Sequence, residues 1–192
     1  ANLQVFFGIA YWTLFLFIPA LTMRLLAEEN RTGTIEMLLT KPISDWQVVI
    51  GKFLSVMLLI LIALALTLPY YITVANLGPI DHGATITGYL GLILMSAAYV
   101  SIGLFASSIS NNQIVAFLLA LLISIFFHII FEVLSYSFTG SIGSILSYLS
   151  LSGHFDSISR GVIDSKDVIY FISIAFMGLV STEAVITRRN AV

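Results

Sequence analysis

An all-α, polytopic membrane protein with five membrane-crossing helices is the fold that this sequence predicts, and three observations carry it. Only 9% of the residues are charged and 59% are hydrophobic, with a mean hydropathy of +1.05; a soluble domain keeps about 25% charged residues on its surface. The charges that remain are gathered into clusters, and the runs between them are apolar over lengths of roughly 20 residues, enough to cross a bilayer. Finally, most of the basic residues fall at every second boundary between those runs, and so on one side. In lipid every backbone polar group must bond within its own segment, so each crossing is a helix. With no cysteine, the chain has neither disulfides nor thiolate metal sites.

The first span is expected over Leu3 to Met23, with Pro19 as its kink point, and the second over Val48 to Ala75, with Pro69 near its outer end. Gly83 to Phe131 holds no Asp, Glu, Lys or Arg, too long a stretch for one crossing at 1.5 Å per residue. The turn formers Ser107 to Gln113 (SSISNNQ) divide it into spans over Gly88 to Ala106 and Ile114 to Leu134. The fifth span covers Val168 to Thr187.

Crossing at each span puts Arg24, Arg31, Lys41, Lys52, Arg188 and Arg189 on one side, and only Arg160 and Lys166 on the other. The basic side is the cytoplasm by the positive-inside rule. The N-terminus is then outside. The chain opens ANLQVFF, with no Met and no basic stretch before the apolar run, so this is not a signal peptide. An outside start without a signal peptide predicts an upstream span, a sixth helix, and this chain as a fragment.

Between the fourth and fifth spans, residues 135–167 carry Phe138, Ile142, Ile145, Leu146 and Leu149 at helical spacing. Phe155, Ile158 and Val162 repeat the pattern after Gly153. Two short amphipathic helices at the outer interface are expected, with a Ser-rich loop as the alternative.

The densest charge follows the first span. Eight of the 18 charged residues lie between Arg24 and Lys52: Arg24, Glu28, Glu29, Arg31, Glu36, Lys41, Asp45 and Lys52. Thr32 and Gly33 are expected to cap a short helix, with Glu36 in its first turn and Ile35, Leu38 and Leu39 on its apolar face. Pro42 stops that helix. Ser44-Asp45-Trp46-Gln47 then reads as a capping box opening the second span. The result is a charged elbow over residues 27–45. It either anchors at headgroup level or docks into a partner.

The stretch AEENRTGTIEMLLTKPISDWQVVIGKF resembles the signature of ABC-2-type transporter permeases, E-x-x-x-G-T-x-E-x-L-L-x-x-P followed by a basic-apolar pair in the next helix. Glu29, Gly33, Thr34, Glu36, Leu38, Leu39, Pro42, Lys52 and Phe53 fill it, and His154 to Phe171 resembles the family's outer segment before the last helix. Within the family the resemblance leans toward gliding-motility-associated permease subunits. It covers almost the whole chain and lacks the first helix. It implies one transmembrane domain over residues 1–192 of a six-helix half-transporter in a bacterial inner (plasma) membrane, paired with a second permease copy or a related permease. The elbow would then be a coupling helix on a separate ABC ATPase subunit, with Glu28, Glu29, Arg31, Gly33, Thr34, Glu36, Leu38 and Leu39 at the contact. ATP and Mg would be bound by that partner. The chain has no G-x-x-x-x-G-K-[ST], since Gly51-Lys52 lacks the first glycine, so no cofactor and no enzymatic role are expected of it. Nucleic acid is not an expected partner.

Other residues are candidates by chemistry alone. His128 and Glu132, four apart near the outer end of the fourth span, suit either a substrate path or an interfacial pair. Glu183 is expected to pair with a basic residue. In the outer segment, with His154 close by, Arg160 and Asp164 are expected to close a local ion pair. Two other classes stand beside the permease reading. A non-transporting membrane anchor or scaffold is one. The other is an intramembrane protease, whose E-E-x-x-x-R pattern fails here because Gly33 stands where Arg is required; Ser152-Gly153-His154 also offers no activated serine.

Overall fold

The computed structural model describes residues 3–34, 44–138 and 140–190. These are helical, with no strand among them. The elements are α1 (Gln4–Thr22), α2 (Ala27–Thr32), α3 (Asp45–Ala65), α4 (Leu68–Leu77), α5 (His82–Ser108), α6 (Gln113–Ile125), a π-helical turn (Phe126–Ile130), α7 (Phe131–Ser137), α8 (Ser141–Leu149), α9 (Leu151–Ser159) and α10 (Ser165–Asn190). Five stretches are long and apolar enough to cross a membrane: Gln4–Thr32, Asp45–Leu77, His82–Ser108, Gln113–Ser137 and Ser165–Arg189.

Their boundaries follow local chemistry. The Ser44 hydroxyl accepts from the Gln47 N–H and the Gln47 side chain accepts from the Ser44 N–H, which is the expected capping box. The second span is two helices instead of one, because Pro69 has no N–H for the Ala65 carbonyl and its ring crowds that turn. Thr67 seals the break, bonding the Leu64 carbonyl at 2.6 Å and the Tyr89 hydroxyl at 2.8 Å. The third span begins six residues earlier than expected, at His82, where the Asp81 carboxylate caps the Ala84 N–H at 3.0 Å. Asn112 caps α6 in the same way through Ile114, as the turn formers there predict.

α5 is the axis of the bundle. Of its apolar window 72% is buried, against 22–33% in the other four spans. It touches α1, α3, α6, α9 and α10. Lipid tails give helices little hydrophobic reason to associate, so packing depends on close approach through small residues. A Cβ on Gly88 would lie 2.6 Å from the Phe7 ring, and one on Gly103 would lie 2.0 Å from Thr22 Oγ1. On the other side α10 supplies the gap, since a Cβ on Gly178 would lie 2.7 Å from Ser101 Oγ.

The outer segment folds as two helices with different roles. α9 packs its apolar face onto the bundle: Leu151, Phe155 and Ile158 are buried against α5 and its neighbours. It begins at Leu151 and ends at Ser159, so Val162 lies beyond it and is exposed. α8 keeps Ile142, Ile145 and Tyr148 exposed, as an amphipathic interfacial helix does.

Candidate functional site

The elbow is built where α1 ends. Its helical bonding carries through Met23 to Pro19 and then tightens to a Leu25–Thr22 bond, and the chain turns into α2. The first N–H groups of so short a helix need outside partners. Ser107, near the end of α5, provides them: its Oγ accepts from Leu26 N at 3.0 Å and Ala27 N at 2.9 Å, and donates to the Met23 carbonyl at 3.1 Å. The exchange runs both ways. Asn30 Nδ2 donates to the Ser108 and Ser110 carbonyls, each at 3.1 Å, where α5 runs out of its own donors.

The second span is fastened to the same place. Lys52 Nζ lies 2.6 Å from Glu29 Oε1 and donates to the Leu25 carbonyl at 2.7 Å. Its side chain is 17% exposed and that of Glu29 26%. Glu28 pairs with Arg31 at 3.3 Å in the open. The second oxygens of Glu28 and Glu29 are buried without a hydrogen-bond partner. Gly33 ends α2 with φ 70°, a left-handed C-cap. Thr32 is the last residue of α2 and bonds back to the Glu28 carbonyl at 2.9 Å; Thr34, just after Gly33, is helical again, and the short helix expected to follow Gly33 lies outside the described residues. Of the expected coupling residues, Glu28, Glu29 and Arg31 lie in α2 and Gly33 and Thr34 directly after it, and of these Glu29 bonds the second span. Glu36, Leu38 and Leu39, with Ile35, Lys41 and Pro42, lie outside the described residues.

At this same end Thr187 of α10 donates to Asp45 at 2.9 Å and to Glu183 at 3.3 Å. Glu183 has this hydroxyl, not a basic residue, as its partner among the described residues.

His128 lies within the π-helical turn and Glu132 just beyond it, and the wider turn rotates one against the other. His128 is 2% exposed, with the Tyr11 and Tyr99 hydroxyls 2.8 and 2.5 Å from Nδ1. The rings of Trp12 and Phe15 close around it. Glu132 instead accepts from the Ser152 hydroxyl of α9. The two do not form a pair.

In the outer segment His154 is buried, its Nδ1 2.6 Å from Asp167 Oδ1 and its Nε2 2.7 Å from the Tyr148 carbonyl. Its ring stacks on Tyr170, at 4.1 Å and 22°. One imidazole thus ties α8, α9 and α10 together. The expected Arg160–Asp164 pair does not form. Asp164 pairs with Lys166 at 3.0 Å, and the Lys166 backbone N–H, followed by its ammonium, holds the Asp164 carboxyl below its usual range. Arg160 Nε donates to the Asp156 carbonyl at 3.1 Å.

Sequence reasoning missed Ser107, Asn30, Tyr11, Tyr99 and Asp167. Only Ser107 carried a signal, as the first of the turn formers; that it caps a helix 80 residues away is not written locally.

Two comparisons bear on this arrangement. The family model described as "ABC-2 family transporter protein" matches residues 4–186. No curated protein matches the chain.

Proposed function

Because the chain belongs to the ABC-2 transporter family, of which it is a multi-pass transmembrane permease component, we propose that it couples ATP hydrolysis by a separate ABC ATPase subunit to export. The observation that carries this reading is the elbow: a charged turn at the end of the first span, fastened through Lys52, Glu29, Ser107 and Asn30 to the second and third spans. A surface anchor needs no such bracing, whereas a lever must be stiff where it is pushed. In this reading the elbow, with Glu36, Leu38 and Leu39 at its centre, seats in a cleft of the ATPase on the cytoplasmic face of a bacterial inner membrane. ATP closing the ATPase dimer moves it. A second permease copy or a related permease supplies the other half of the path, and gliding motility is the process served. A path past His128 and Glu132 requires α1 and α6 to part, because aromatic rings enclose His128 in the closed bundle.

The test is co-expression with candidate ABC ATPases, followed by purification and ATPase assay in nanodiscs. The expected result is a stable complex whose hydrolysis is stimulated by the permease. Glu29→Ala with Glu36→Ala is expected to leave hydrolysis running while transport stops. Unchanged coupling in that variant, at normal expression, overturns the reading.

A further inference from the structure

Motion of the elbow must reach the outer face by some route, and the spans differ in their fitness to carry it. α1 holds Pro19 one turn before the bend. The second span breaks at Leu66 and Thr67, and the fourth is interrupted by its π-helical turn. Such interruptions absorb displacement. α5 has none over its 27 residues, and no proline. α10 is also continuous, but its hydrogen-bonded links to the elbow region are exposed ones, the Thr187–Asp45 bond at the foot of α3 and a 3.5 Å contact of Arg189 with Asn111.

We infer that α5 is the rigid shaft that carries elbow motion to the outer helix α9, with Ser107 and Asn30 as the positioning residues that fix the elbow to it. The inference rests on the reading of the elbow as the ATPase contact. At the cytoplasmic end, five hydrogen bonds of 2.9–3.1 Å join α5 and its C-terminal turn to Met23, Leu26, Ala27 and Asn30. Some 24 Å away at 1.5 Å per residue, Gly91 brings α5 against α9. A Cβ there would lie 3.2 Å from Ile158 and 3.3 Å from Phe155. Both side chains are buried, at 0% and 3% exposure, so α9 has no slack against a sliding or rotating α5. Through His154 and Asp167, α9 in turn holds α8 and the start of α10. A push on the elbow therefore emerges as displacement of the outer segment.

The chain has no cysteine, so single reporters are clean. Thr32→Cys reports the elbow and Asp156→Cys reports α9; both positions are exposed. Maleimide labelling rates are measured on the full transporter with its ATPase in nanodiscs, with and without ATP-Mg and vanadate. The expected result is a nucleotide-dependent change at both reporters. In Ser107→Ala and in Asn30→Asp the elbow response persists while the α9 response falls at least fivefold; Thr187→Ala preserves both. A purely structural defect would not split the two responses. If Ser107→Ala fails to assemble, Asn30→Asp, half-buried at the surface, decides. An undiminished α9 response in these variants, or its loss in Thr187→Ala, overturns the inference. A silent elbow reporter in the unsubstituted chain instead overturns the proposed ATPase contact.

Discussion

Replacing Lys52 by Met keeps the apolar stem and removes only the ammonium. Two charge-assisted hydrogen bonds are lost, 2.6 Å to Glu29 and 2.7 Å to the Leu25 carbonyl. Bonds to charged groups contribute about 1.5–3 kcal/mol each when protected from water. Here the partners are 17% and 26% exposed, so solvent screens part of this, and about 2–3 kcal/mol for the two together is expected. The second Glu29 oxygen already lacks a partner, so the variant leaves a half-buried carboxylate with no cation, which keeps the cost from falling lower. For a chain of this size a kilocalorie shifts the midpoint by about 2–4 °C, giving a fall of about 4–12 °C. The assay is thermal unfolding in nanodiscs followed by the fluorescence of Trp12 and Trp46. A double-mutant cycle with Glu29→Gln should return a coupling of about 1–2 kcal/mol, little changed by salt because the pair is largely enclosed. A midpoint shift below about 1 °C, or a coupling near zero, refutes the idea that this clamp joins the first two spans.

Three further outcomes are expected. Gly103→Ala drives a methyl to within 2.0 Å of Thr22 and should lower stability by about 1–3 kcal/mol or more, whereas Gly51→Ala, with open space around it, should melt like the parent; equal melting of the two variants refutes the close α1–α5 packing. Asp167→Asn weakens a buried hydrogen bond to His154 whose side chains are 6% and 1% exposed and should cost about 1–3 kcal/mol, read as faster proteolysis within residues 141–159; unaltered protection refutes the role of His154 as a tie. Although Asp156 is exposed, partial desolvation of its carboxyl first, with Arg160 opposing and the charge of Glu132 adding to it, raises it above its usual range. A folded-state value above the unfolded one means that folding retains the proton, so this group's contribution weakens as pH rises through that window. Asp156→Asn should therefore stabilise at neutral pH and lose its advantage below the ordinary carboxylate range; a constant difference across pH tells against the assignment.

Much of the site was visible in the sequence where the signal is local. Ser44 and Gln47 are three residues apart and cap one another, so the start of the second span reads directly. Asn112 does the same for α6. Pro69 is visible too, near the outer end of the second span, but the break at Leu66 and Thr67 is not. That Gly33 also closes a helix before it, α2, is not legible, because Thr and Gly suit either terminus; its left-handed backbone shows the C-cap. The Arg160–Asp164 pairing failed for a similar reason. Several carboxylates and cations lie within a few residues there, and only the packed turn selects Lys166 and the Asp156 carbonyl.

The sequence by itself determined that this chain lives in lipid, that its crossings are helices and that its charge collects after the first of them. Solvation settles such matters, since a bilayer excludes bare backbone and unpaired charge wherever the chain places them. Tertiary structure alone decided that α5 is the axis, that α9 belongs to the bundle and that Ser107 caps a helix far away in the chain. Those depend on which small residues face one another across helices, and no periodicity within a single helix encodes its neighbour.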